Sequence, residues 1–196
     1  MTLLFLTRPS NTIIRQFLNR QAQSCFSYRA VGDSLLELAP AGYIADHSRA
    51  LLGHGERIWH NAVRAINTWE MFRMEWVQLC WPDVPITQGA NVAVLARHFG
   101  FWSLNATRIV YTVNDDSSSI RKYGFAYGTL FDHSESGEER FLVEWHAHDE
   151  SVWYDIFAFS RPRTTLAKLG YPLVRWLQHR FAKGSLAAMA RATAHQ

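Results

Sequence analysis

The densest group of reactive side chains lies at residues 132–139. Asp132-His133-Ser134-Glu135 is followed by Glu138 and Glu139, which sets one imidazole among four carboxyl groups. Neighbouring negative charge favours the protonated ring, and an imidazole within reach of a carboxylate can carry out general acid–base chemistry. Arg161, in Phe159-Ser160-Arg161-Pro162, can grip a carboxylate with its planar fork. His133 and Glu138 are therefore the candidate acid–base pair and Arg161 the candidate polar anchor for a ligand. The plainer reading is a solvated acidic turn, with Arg161 tied to Glu138 or Asp155. His146-x-His148 with Asp149 lacks a third histidine at a characteristic metal-ligand spacing, so no metal site is expected. The chain has no Gly-x-Ser-x-Gly, no phosphate-binding glycine loop and no dinucleotide fingerprint, and no cofactor is expected.

Those residues must be carried by strands. Segments 75–80, 91–98, 107–114, 122–131, 139–147 and 152–160 are rich in Val, Tyr, Phe, Trp and Thr, with turn-forming clusters between most of them. Six strands in a row, all joinable by hairpins, predict an antiparallel meander. If the strands at 122–131, 139–147 and 152–160 are neighbours, His133, Glu138 and Arg161 share one rim of the sheet. Gly124 and Gly128 fall at one strand parity and Tyr123, Phe125 and Tyr127 at the other, which predicts a tightly bent strand with its aromatic side inward.

Helical spacing appears elsewhere. Residues 10–24 read as a helix capped by Ser10 or Asn11, with Ile13, Ile14, Phe17 and Leu18 on one stripe. Ile58, Ala62, Ile66 and Trp69 mark a second helix over 56–69. A long last helix runs from about 164 to 189. Its stripe is Leu169, Leu173, Leu177 and Phe181, with Lys168, Arg175 and His179 on another face, and Gly170 and Pro172 should kink its first turns. Residues 26–31 (FSYRAV) alternate as a short strand, and 40–43 read as loop.

One long helix over a curved antiparallel sheet leaves a space between them, suited to an apolar ligand. Trp76, Tyr127, Trp145 and Tyr154 are the expected aromatic lining. Large residues at both parities of 152–160 require cover on the outer face as well, and the 10–24 helix is assigned to it through Ile14 or Phe17. A partner subunit could share that packing.

The 196-residue length suits one domain. It divides into an N-terminal helical extension, 1–25, and a main domain, 26–196. Cys25 and Cys80 are too few for a disulfide framework, and both are expected to be buried and reduced in the cytoplasm. The apolar start, 1–6, is too short and lacks the flanks of a signal peptide. The two ends, 1–29 and 161–196, hold 11 basic residues and no acid, leaving 9 of the 20 basic residues and all 17 acidic ones between them. Basic ends docked on an acidic body explain this. A membrane surface meeting those ends is the alternative, and no nucleic-acid partner is expected.

The segments FSYRAVG, LLGHG, INTWEMFRMEWV, GANVAVLARHFGFWSLNATRIVY, YGFAYGTLFDHSESGEERF, VWYDIFAFSRP and LGYPLVRWLQHRF resemble the family known as domain of unknown function 1990. The similarity runs from about residue 26 to 189. The family's turn often reads Gly-His-Pro-Glu where this chain has Asp132-His133-Ser134-Glu135. The family looks related to the START-like, pollen-allergen-like helix-grip proteins. That resemblance implies an α+β helix-grip fold, with a curved six- to seven-stranded antiparallel sheet wrapped on the C-terminal helix and an apolar cavity between them. It carries over no catalytic residues. The expected function is binding of a small hydrophobic or amphipathic molecule. An enzyme (cyclase, hydratase or isomerase) using His133, or a peripheral membrane adaptor, are the alternatives.

Overall fold

The computed structural model describes residues 3–163 and 169–194. Its first strand is β1 (Leu3–Phe5), and the first helix is α1 (Asn11–Gln21), opened by the Ser10 side chain accepting from the Ile13 N–H. Ser10 satisfies one of the unpaired donors every helix start presents. Ile14 and Phe17 on α1 are 0% and 2% exposed, packed with Cys80, Ala93, Leu95, Leu104, Ala106 and Leu130.

The remaining elements are β2 (Ile44–His54), α2 (Glu56–Asn67), β3 (Val77–Cys80), β4 (Asn91–His98), β5 (Phe101–Asp116), β6 (Ile120–Thr129), β7 (Glu135–His146), β8 (Ser151–Pro162) and α3 (Tyr171–Ala194). The sheet runs in the order β2-β8-β7-β6-β5-β4-β3, with β1 added on β5 and every pairing antiparallel. The meander from β3 to β8 follows the sequence expectation. β2 was not among the expected strands: Ile44–His54 pairs with β8. Asp46 and Ser48 sit at the parity where a half-buried strand would carry apolar residues, so the first half of β2 lacks the usual alternation. The strand expected at 26–31 reduces to a single bridge, Phe26 to Leu130. Cys25 is exposed, against expectation, and Cys80 is buried, which pushes its thiol up to about 11.

Side chains alternate across the sheet. On β7, Glu135, Gly137, Glu139, Phe141, Val143 and Trp145 share the concave parity, while Ser136, Glu138, Arg140, Leu142 and Glu144 share the convex one. One row of directly paired residues on the concave face reads Ile109, Tyr127, Glu139, Ala158, Asp46 across five strands. The expected inward set, Tyr123, Phe125 and Tyr127, packs with the concave core.

α2 fills one half of that concave face. Ile58, Trp59, Ala62, Ala65 and Ile66 pack there with Phe125, Phe141, Val143, Tyr154 and Met189. The C-terminal half of α3 lies over the same end through buried Ser185, Ala188, Met189 and Thr193. Its N-terminal half covers the other end. Gly170 is a turn residue between helical Leu169 and the start of α3: the Leu173 and Val174 N–H groups bond the Gly170 carbonyl, and Pro172 stands in the first turn of α3, where it costs no hydrogen bond. Lys168 and the expected helix start at 164 lie outside the described residues.

The convex face is covered twice. α1 lies over β4 and β5. The segment 26–43 lies over β7 and β8, with the Tyr28 and Tyr43 rings edge-on to Phe159 at 5.6 and 5.5 Å. Phe157 and Phe159 are thus buried by that segment and not by the N-terminal helix. Gly128 makes room for it, since a Cβ there would lie 2.0 Å from the Tyr28 hydroxyl.

Gly137 is a second close approach, with a built Cβ 2.0 Å from the Phe159 carbonyl oxygen and 2.8 Å from the Ser160 Cα. Backbone atoms cannot swing aside, so β7 and β8 must part to admit a methyl group. Gly137→Ala is expected to lose about 1–3 kcal/mol, read from urea unfolding. A loss within experimental error would show that the two strands yield freely there.

Candidate functional site

Between the N-terminal half of α3 and the uncovered half of the concave face lies a cavity of about 1030 Å³. The expected helical stripe, Leu169, Leu173, Leu177 and Phe181, lines its roof. Trp76, Val94, Ala96, Phe72 and Ile156 line the apolar wall, and Ala158 and Ala182 keep the centre open by being small. Phe99 and Phe101, both exposed, join the lining beside Leu173.

Among the expected lining residues, Tyr127 and Trp76 are in the wall, and the Arg180 guanidinium stacks 4.5 Å over Trp76. Trp145 and Tyr154 are not. Trp145 packs on Trp59 of α2 with Arg121 over its other side, and Tyr154 is fully buried with its hydroxyl 2.9 Å from Ser185 of α3. Both have the concave parity but stand in the half that α2 fills.

The proposed rim of His133, Glu138 and Arg161 is not assembled. His133 lines the cavity. Glu138 is 2% exposed and turns its carboxyl to the convex segment, accepting from the Tyr28 hydroxyl at 2.6 Å, the Gly32 and Ser34 N–H groups at 2.9 and 3.2 Å, and the Ser34 hydroxyl. Arg161 stacks 4.5 Å over Tyr43 on that same face. Glu138 thus borders the cavity, but its carboxyl is taken up by the convex segment. The expected salt bridge from Arg161 to Glu138 or Asp155 is also absent among the described residues. Arg140 is the partner of Asp155, at 2.8 Å, and it binds Glu37 as well. His47 is also on Asp155, at 2.7 Å. Glu37, His47 and Asp155 lie close enough to share a cation, and the Arg140 guanidinium already serves both carboxyls.

The polar end of the cavity was not foreseen. Glu135 and Glu139 stand on the concave parity of β7, and both line the cavity. Glu139 Oε2 accepts from the Tyr127 hydroxyl at 2.7 Å, a bond between direct cross-strand partners. Glu135 Oε1 accepts from Gln178 Nε2 at 2.9 Å, and Gln178 also donates to Ser160. Burial pushes each carboxyl up to about 7. The sequence signal was present: Glu135 and Glu139 share parity with Phe141 and Val143, which places carboxyls on an apolar face.

His133 departs from its expected charge. Burial, with a smaller contribution from the nearby Arg163 charge, lowers it to about 4. The Glu135 N–H donates to its Nδ1 at 3.0 Å, so the neutral ring carries its proton on Nε2. The four carboxyls do not surround it: Asp132 accepts from Gln21 of α1 at 2.8 Å, and Glu138 faces away. The opposite shifts pull folding stability in opposite directions. Between about 4.5 and 7 the folded chain holds protons on Glu135 and Glu139 that the unfolded chain releases, so those groups lower stability as pH rises. Between about 4 and 6.5 the unfolded chain protonates His133 and the folded chain does not, so that group raises stability as pH rises.

The basic ends are docked in several ways. Arg175 binds both oxygens of Asp46 at 2.5 and 2.6 Å. Arg15, Arg163 and Arg180 stack on Trp81, Phe131 and Trp76. No helix among the described residues is long and apolar enough to cross a membrane.

Human STARD10 is similar in fold, with a TM-score of 0.50 and 11% identity over 95% of this chain and 80% of that one. Ara h 8.0201 matches with a TM-score of 0.50 and 11% identity over 79% of this chain and 100% of that one. Both have the helix-grip fold that the sheet and C-terminal helix described above define. A UPF0548 protein of Dictyostelium discoideum is 33% identical, covering 94% of this chain and 93% of its own. A UPF0548 protein of Arabidopsis thaliana is 30% identical, covering 97% and 98%. Domain of unknown function (DUF1990) matches residues 27–188, and the chain belongs to that family.

Proposed function

We propose that the protein binds a small hydrophobic or amphipathic molecule between the sheet and α3. One observation carries this reading: a cavity of about 1030 Å³, walled mainly by apolar side chains, with His133, Glu135 and Glu139 among its polar lining. Such a volume is at the top of the roughly 300–1,000 Å³ range of small-molecule sites. Tyr127 and Trp76 contribute to the wall, while His133, Glu135 and Glu139 supply the polar recognition. The helix-grip likeness agrees with the reading at the level of fold alone.

The test is binding of the neutral fluorescent probe N-phenyl-1-naphthylamine, alongside native mass spectrometry for a co-purifying compound. Ala158→Trp places a large ring in the middle of the space and is expected to weaken probe binding by about tenfold or more, the equivalent of about 1.4 kcal/mol. Undiminished binding to this variant would remove the cavity from the account.

A second reading is an enzyme in the same pocket, of the cyclase, hydratase or isomerase kind. It is favoured by Glu135 and Glu139, whose raised carboxyls are poised to give or take a proton near pH 7. His133 would serve there as an Nε2–H donor. Turnover of a bound compound, abolished in Glu139→Gln, would select this reading over simple binding.

A further inference from the structure

Glu135 and Glu139 pose a physical problem in the unliganded chain. Neither forms an ion pair among the described residues, and their hydrogen-bond partners there are Gln178 and Tyr127, each on one oxygen. The remaining oxygen of each has no hydrogen-bond partner among the described residues. Both side chains are half-buried, and carboxyls drawn into an apolar cavity are ordinarily paired or fully hydrogen-bonded, as Glu138 is on the other face of the same strand. Among the described residues, a cavity end built this way lacks a cation.

The surrounding charges do not supply one. On α3, Arg175 is engaged by both oxygens of Asp46 on β2, and His179 lies 3.2 Å from that same guanidinium. His133, on the turn before β7, has its Nδ1 lone pair occupied and is neutral at pH 7. His98 on β4 also lines the cavity, and burial lowers it. Tyr127 on β6 and Tyr154 on β8 are pushed up by burial and stay neutral. Arg163 and Arg180 are stacked on Phe131 and Trp76, and with Asp46 and Arg175 cancelling, the two glutamates are the carboxyls turned to the cavity without an ion-pair partner among the described residues.

We propose that the cavity takes an amphipathic amine, its ammonium group held by Glu135 and Glu139 and its apolar body along Val94, Trp76, Leu177 and Phe181. An ammonium group brings three donors and one positive charge, which meets the two free carboxyl oxygens directly. The Tyr127 ring, within 5.2 Å of Phe141 and 6.1 Å of Phe72 between ring centroids, adds an aromatic face of the kind that attracts cations. A ligand carboxylate would be repelled by the same pair. The inference rests on the reading of the cavity as a ligand site and names the chemical class of its occupant.

The experiment uses the full chain and displacement of N-phenyl-1-naphthylamine by dodecylamine, dodecanol and dodecanoate across a pH range from about 6 to about 8. An alkylamine stays protonated throughout this range. The competent, ionised carboxyl rises from about one-tenth to about nine-tenths of the population when its midpoint is near 7, so dodecylamine should bind about tenfold more tightly at the upper end. Dodecanol should be indifferent to pH, and dodecanoate should compete most weakly. Glu135→Gln and Glu139→Gln should each weaken dodecylamine about tenfold at the upper pH, flatten its pH dependence and weaken dodecanol far less than dodecylamine. Equal competition by amine and alcohol at every pH would overturn the amine assignment while the cavity reading stood. An affinity for amine that falls as pH rises would do the same, because the carboxyls would then act as protonated donors. Failure of the probe itself to bind would overturn the ligand reading, and this one with it.

Discussion

Glu138→Ala is expected to lower folding stability by about 4 kcal/mol and leave ligand binding by the remaining folded protein intact. Four donors converge on that carboxyl: the hydroxyls of Tyr28 and Ser34 and the N–H groups of Gly32 and Ser34. Hydrogen bonds to a charged acceptor are each worth about 1.5–3 kcal/mol, and a donor left buried without a partner bears the cost of its desolvation. The loss also frees the segment that covers Phe157 and Phe159. For a chain of this size the change corresponds to a fall in Tm of roughly 8–16 °C, measured by calorimetry or circular dichroism. Glu138→Gln should recover part of the loss, because the amide keeps one acceptor oxygen but turns an NH₂ group toward donors. If Tm barely moves while probe binding disappears, Glu138 belongs to the ligand site and its assignment to the convex face is wrong.

The second large effect concerns α1. Phe17→Ala is expected to cost about 3–5 kcal/mol. The ring is almost fully buried, with Ile14, against Leu95, Leu104 and Leu130, and a cavity there is closed by a sheet that cannot collapse inward. Urea unfolding should show a lower midpoint with an unchanged slope. A cost below about 1 kcal/mol would describe a loosely attached extension, and the convex face would then have to find its cover elsewhere.

The meander, the three helices and the existence of a cavity were legible because periodicity reports which face a side chain takes. Leu169, Leu173, Leu177 and Phe181 were read as one stripe, and they form the cavity roof. Periodicity does not report position along a strand. Trp145 and Tyr154 have the inward parity, yet they stand where α2 has filled the space. β2 escaped notice because it spends Asp46 and Ser48 on a cavity, and its first half therefore carries no apolar alternation. The acidic run at 135–139 was treated as a solvated turn, when β7 already begins at Glu135 and sorts those carboxyls to opposite faces. Arg161 was assigned a carboxylate because ion pairing is the first expectation for arginine; its stacking partner, Tyr43, lies more than a hundred residues away in sequence.

The sorting of β7 has a consequence for how this stretch tolerates change in length. Glu135 and Glu139 face a space with room for a guest, whereas Glu138 faces a nest of donors that has none, and the three differ only in odd or even count along the strand. Inserting or deleting a single residue between Ser136 and Glu138 would exchange the two environments at once for everything on one side of the change. Glu138 would turn into the apolar chamber as Glu139 turned out of it, and neither carboxyl would keep its present partners. Substitutions in this stretch can be graded, but a shift of the reading frame along the strand cannot, so variation in length here is confined to the turn before Glu135 or the hairpin after His146.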